Sequence, residues 1–182
     1  MDDRIPLDGV TLVTGPSNAG KTRRTARALD RWVDERGTDG VVVLDFAPEV
    51  VREGTLLGGR LDRFTRVPDG VWTGVLDAHA PRASAGDRRG ALRLAASNAR
   101  RARRLLDAMP ADPRAVFVND ATIPCQADAG DATALADRWE AADCVVCNAF
   151  ESDELGADDR VSRNERAALD ALRSRADRVV DL

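Results

Sequence analysis

Thiols, imidazoles and aromatic rings are scarce in this chain. It has three cysteines and one histidine, and aromatics make up 4% of its 182 residues. A small, odd number of cysteines argues against a disulfide framework and fits a reducing compartment. Cys125 and His79 complete no zinc-ligand spacing. Cys144 and Cys147 form C-x-x-C, but within an apolar strand, where alternation sends the two to opposite faces; they read as small buried hydrophobes. With so few rings, Val, Leu, Ala and Ile must fill the core, and little is left to stack nucleic-acid bases. No apolar run approaches the ~18 residues that a membrane span needs. The opening MDDRIPLDG lacks the charged-then-apolar pattern of a signal peptide, so a cytoplasmic protein without membrane contact is expected. Lysine is the sharpest shortage. Of 27 basic residues only Lys21 is a lysine.

What is present points to a folded globular unit. Hydrophobic residues make up 43%, and the length suits one compact domain over residues 1–182. The net charge of −4 is too mild to imply a charged partner. Val10 to Thr14 and Val41 to Asp45 read as buried strands, separated by a helix from about Lys21 to Glu35. That is a βαβ unit, whose crossover gives parallel pairing. The stretch Phe46–Asp87 is irregular and reads as a lid or insertion, with a strand candidate at Val71–Leu76. Further on, a helix is predicted from Arg88 to Met109, stopped by Pro110 and Pro113. A strand follows at Ala115–Asp120, then a helix at Asp131–Ala142 and a strand at Cys144–Phe150. The last helix runs from Ser162 to Arg175, with Ser162 as N-cap and Glu165 completing a capping box, before a final strand. The alternation implies an α/β fold, a three-layer αβα sandwich around a mostly parallel sheet.

The first strand runs into GPSNAGKT, which fits G-x-x-x-x-G-K-[ST] at Gly15, Gly20, Lys21 and Thr22. Glycines let the backbone turn its N–H groups onto phosphate oxygens, and the following helix adds positive character. Lys21 offers a flexible point charge to the β- and γ-phosphates, which the rigid arginine fork fits poorly. That explains a lone lysine in an arginine-rich chain. The motif and its strand–helix context resemble the P-loop NTPases. The phrase TLVTGPSNAGKTRRTARAL is also similar to the start of adenosylcobinamide kinases, although the surroundings of His79 are not theirs.

The resemblance implies that Gly15, Pro16, Ser17, Asn18, Ala19, Gly20, Lys21, Thr22 and Arg23 cradle ATP or GTP. It implies Mg²⁺ on Thr22 and on an aspartate ending an apolar strand. Asp120 and Asp45 both qualify. Asp120 is favoured, because the strand beside the loop strand typically comes later in the chain. No Glu follows Asp120, so a base has to come from elsewhere, with Asp45 or Glu49 as candidates. Asn148 reads as a loop residue or a γ-phosphate sensor. Arg89, Arg93, Arg100 and Arg104 form a stripe on the long helix, either a solvated face or a surface for anions. Three functions stay open. One is a Mg-dependent NTPase or nucleotide switch with a protein partner or a second copy. Another is a small-molecule kinase with its acceptor under residues 46–87. The third is a nucleic-acid-associated nucleotide-binding module.

Overall fold

The computed structural model describes residues 4–52, 54–57, 59–128, 131–153 and 158–182; residues 1–3 of the opening stretch and 154–157 of the stretch after Asn148 lie outside these. The chain begins with β1 (Gly9–Gly15), α1 (Lys21–Arg36) and β2 (Val41–Asp45). The irregular stretch then contains an antiparallel hairpin, β3 (Val50–Arg52) with β4 (Thr55–Leu57), and a 3₁₀ turn at Leu61–Arg63. It ends with the edge strand β5 (Trp72–Val75) and the short helix α2 (Pro81–Ser84). The remainder alternates: α3 (Arg88–Ala108), β6 (Ala115–Asn119), α4 (Asp131–Asp137), β7 (Cys144–Phe150), α5 (Arg160–Ser174) and β8 (Arg178–Asp181).

Six strands form one sheet in the order β5-β2-β6-β7-β1-β8, every pair parallel. Helices cover both faces, giving the three-layer sandwich. The inner strands β2, β6 and β7 are largely apolar on both sides because both sides are covered. Alternate residues divide between two cores. Val13, Val43, Phe117 and Val146 pack with Leu29 and Trp32 of α1. Leu12, Val42, Val116 and Val145 pack with Ala102 of α3, Leu135 of α4 and Leu172 of α5.

The element bounds depart from sequence expectation in instructive places. Strand β6, which ends at Asn119 just before Asp120, does not border β1; β7 lies between them. Strand β7 is seven residues long and matches β1 pair for pair from Gly9–Cys144 to Gly15–Phe150, so it takes the central place. Helix α4 stops at Asp137, and i→i+3 turns at Arg138 and Trp139 then carry the Trp139 ring into the core. Helix α5 begins two residues before Ser162. Asp159 is its N-cap, accepting from the Ser162 amide at 3.0 Å, and Glu165 is released from the expected capping box. Among the described residues, no helix is long and apolar enough to cross a membrane.

Candidate functional site

The C-terminal ends of β1, β2, β6 and β7 share one edge of the sheet, the edge where open α/β sheets hold ligands. From the last residue of β1 the backbone curls through three residues of positive φ: Gly15 at +147°, Asn18 at +62° and Gly20 at +96°. A Cβ on Gly15 would lie 2.8 Å from the carbonyl oxygen of Leu182, the residue after β8, so that neighbour demands glycine there as much as the turn does. At Gly20 nothing lies within 4 Å of such a Cβ, and the dihedral alone sets the requirement. Helix α1 starts at Lys21 with no side-chain cap. Its first-turn amides and the positive end of its dipole therefore lie at the loop. Lys21 is 7% exposed. Its Nζ donates to the Pro16 carbonyl at 2.5 Å and sits 5.9 Å from the centre of the Phe150 ring.

A cavity of about 540 Å³ opens against this loop. Ser17, Asn18, Gly20, Lys21, Thr22 and Arg23 line it on the loop side, and Asp120 faces it from the end of β6. A chain of amides sets Asp120 in place. The Thr22 hydroxyl donates to Asn119 Oδ1 at 3.1 Å, and Asn148 Nδ2 donates to the same oxygen at 3.0 Å. Asn148 also accepts from the Asp120 backbone amide at 3.0 Å. That bond holds Asp120 at φ +54°, in the left-handed region. Thr22 thus meets Asn119, one residue before the aspartate that the sequence favours. Burial pushes the Asp120 carboxyl up to about 7; Lys21 opposes the rise, while Asp45 and Glu165 add to it.

Asp45 does not line the cavity. Its carboxylate accepts from Asn119 Nδ2 at 2.8 Å, from the Ala47 amide at 3.3 Å and from the Leu61 amide at 2.7 Å. It pins the start of the irregular segment to the sheet, and burial raises its pKa against those hydrogen bonds. Glu49 is tied to Arg63 at 2.7 Å, and that bond lowers its pKa. Neither is placed as a base. Asn148 is fully buried and spans β7 to β6 and α1, its Nδ2 also reaching Thr25 Oγ1 at 2.9 Å. It does not line the cavity. His79 enters the structure through its backbone, which Asn98 clamps with two bonds of 2.9 Å.

The far wall was not read from the sequence. Arg82 of α2 meets Glu165 of α5 at 2.5 Å, and Thr122 and Gln126 each donate to the other oxygen of that carboxylate at 3.1 Å. Arg82 also donates to Ser162 Oγ at 3.2 Å, and its guanidinium lies 5.7 Å from the Phe150 ring that Lys21 also meets. A carboxylate only accepts, so the Gln126 NH₂ must face Glu165. Its Oε1 is left buried with no partner. One signal for this wall exists in the sequence. Glu165 falls on the apolar face of α5 with Val161, Ala168, Leu169 and Leu172, where a lone carboxylate needs a buried partner.

All three cysteines are buried and unpaired. Burial pushes Cys144 up to about 11 and Cys147 up to about 12, so both stay thiols. No protein-family model matches the chain, and no curated protein matches it.

Proposed function

We propose that the chain is a P-loop protein that binds ATP or GTP at Gly15–Thr22 and brings an oxygen nucleophile onto the γ-phosphorus. One observation carries the reading. A loop of three left-handed residues leads into a helix whose first residue is a nearly buried lysine, and a cavity opens directly against it. Backbone donors, a helix dipole and an ammonium at one spot suit a polyphosphate.

The oxygen donors beside the loop also suit Mg²⁺. Thr22 and Asp120 are hard ligands, and among the described residues no three His, Cys, Asp or Glu gather into a cage. Magnesium sites beside phosphates use one or two protein oxygens with phosphate and water. Thr22 and Asp120 would hold the ion, which supplies charge neutralisation at the β- and γ-phosphates. Lys21 and the loop amides stabilise the charge that develops on the transferred group, and Arg82 offers a second cation across the cavity. Attack forms one P–O bond and breaks the bond to the β,γ-bridging oxygen. The nucleoside diphosphate leaves with that electron pair, and the nucleophile's proton passes to solvent. Asn119 and Asn148 act through Thr22 and Asp120, as positioning residues.

The nucleophile is water in a hydrolase or switch. The far wall favours a second reading, a small-molecule kinase. Thr122, Gln126 and Glu165 form a buried polar surface, and the unpartnered Gln126 oxygen asks for a donor such as an alcohol or amine. Measuring nucleotide binding and phosphate release with Mg²⁺ tests the core of the proposal. Lys21→Ala is expected to lose roughly tenfold or more in triphosphate affinity, the worth of one charge-assisted hydrogen bond, while its circular dichroism is unchanged. Undiminished affinity in that variant would remove the reading. Phosphate release without an acceptor selects hydrolysis; turnover only with an added alcohol selects the kinase.

A further inference from the structure

Helix α3 carries seven arginines and a single acid, Asp107. Six of the seven are exposed: Arg88, Arg89, Arg93, Arg100, Arg103 and Arg104. Elsewhere in the fold many arginines meet carboxylates, as in Arg31–Glu35, Arg82–Glu165, Arg166–Asp153, Arg173–Glu151, Arg175–Asp137 and Arg178–Asp8. Of the six on α3, only Arg103 makes an ion pair among the described residues, with Asp131 at 2.8 Å. A chain with 31 acids and a net charge of −4 has therefore left one helix face positive. None of the six lines the cavity beside the loop.

We propose that this face binds the phosphate backbone of duplex DNA. Arg89, Arg93, Arg100 and Arg104 fall on one side of the helix. From the first to the last is ~22 Å along the axis, the length of about six base pairs at 3.4 Å each. The guanidinium fork matches phosphate oxygens bidentately, and the B-form major groove admits an α-helix where the narrow groove of duplex RNA does not. A bilayer is a poorer partner. Ala91, Ala95 and Ala102 of α3 are buried in the fold, and no large hydrophobic residue of α3 is exposed to enter lipid. Single strands are poorer too, because the face has no aromatic ring on which bases could stack. Contacts to phosphate carry no sequence information directly, so binding through them is insensitive to sequence.

Fluorescence anisotropy of a labelled DNA duplex of about 20 base pairs tests the proposal, with NaCl varied between roughly 50 and 200 mM. The native protein is expected to bind with log affinity falling linearly in log salt. Arg100→Ala with Arg104→Ala should make that slope shallower by about 2, close to 0.9 for each phosphate that is no longer neutralised. Arg100→Lys with Arg104→Lys should keep the native slope, which guards against misfolding as the cause. Arg27→Ala, an exposed site on α1, should leave it unchanged. The proposal fails if the duplex does not bind, if the Arg27 variant changes the slope as much as the α3 variant, or if the α3 double variant keeps the native slope. Binding only to a single strand of the same length, or only to phosphatidylserine vesicles, would overturn it as well.

Discussion

Asp120 burdens the fold at neutral pH. Its folded pKa, about 7, lies above the ordinary 3.8. Between those values the native state holds more protons than the unfolded one, so this residue's contribution to stability falls as pH rises from about 4 to about 7. Asp120→Asn removes the burden, and asparagine tolerates positive φ. In metal-free protein without nucleotide, the variant should be more stable than native by ~2–4 kcal/mol at about pH 8 and nearly equal at about pH 4. Thermal melts at the two pH values check this; an Asn variant that melts below native at about pH 8 contradicts it. Glu165 matters through its ion pair. Its removal leaves Arg82 without its carboxylate, so Glu165→Ala should cost ~3–5 kcal/mol, while Arg82→Met with Glu165→Leu should recover much of that deficit. Urea midpoints of the two variants measure it, and equal midpoints would deny that the pair is coupled. At this scale the sequence was half informative. Lys21, Gly20 and Thr22 announce themselves because they are contiguous. Arg82, Gln126 and Glu165 lie far apart in the chain and acquire meaning only where they meet.

Elements were legible wherever local chemistry and core packing agreed. The strands at Val41–Asp45 and Cys144–Phe150 and the first helix fall within a residue or so of expectation. Misses came where a more distant neighbour decided. Trp139 enters the core and ends α4 early. The stretch 46–87 has no single periodicity because it is assembled from pieces pinned singly: Leu61 by Asp45, Gly59 by Asn119, and β5 by pairing with β2. The N-cap of α5 was misplaced because Asp159 and Ser162 offer similar oxygens three residues apart. Asp159 bonds both the Ser162 amide, at 3.0 Å, and its hydroxyl, at 2.7 Å. Asp159→Ala should therefore cost about 1 kcal/mol, more than Ser162→Ala, as read from denaturant midpoints. It should also slacken Arg82, whose second partner is the Ser162 hydroxyl. If the two alanine variants are equally stable, the cap has been assigned to the wrong residue.

At the scale of the whole molecule, the fold class followed from the alternation of strands and helices, but the strand order did not. Nothing local in Cys144–Phe150 says that it separates β1 from β6; only the length of the strand and the burial of its first six residues favour the centre. That order puts Asn148, on β7, between Thr25 of α1 and the turn at Asp120, so both walls of the cavity hang on the middle of the sheet. The same centrality gives the buried sulfurs a practical use. Cys144 and Cys147 sit in β7, one of the two central strands, and Cys125 lies in the 3₁₀ turn after β6. A native chain should resist maleimide until the sheet itself parts. Site-by-site alkylation timed by mass spectrometry would then act as a clock on how the protein comes undone, and a single cysteine placed on the surface could carry a dye with no natural thiol removed.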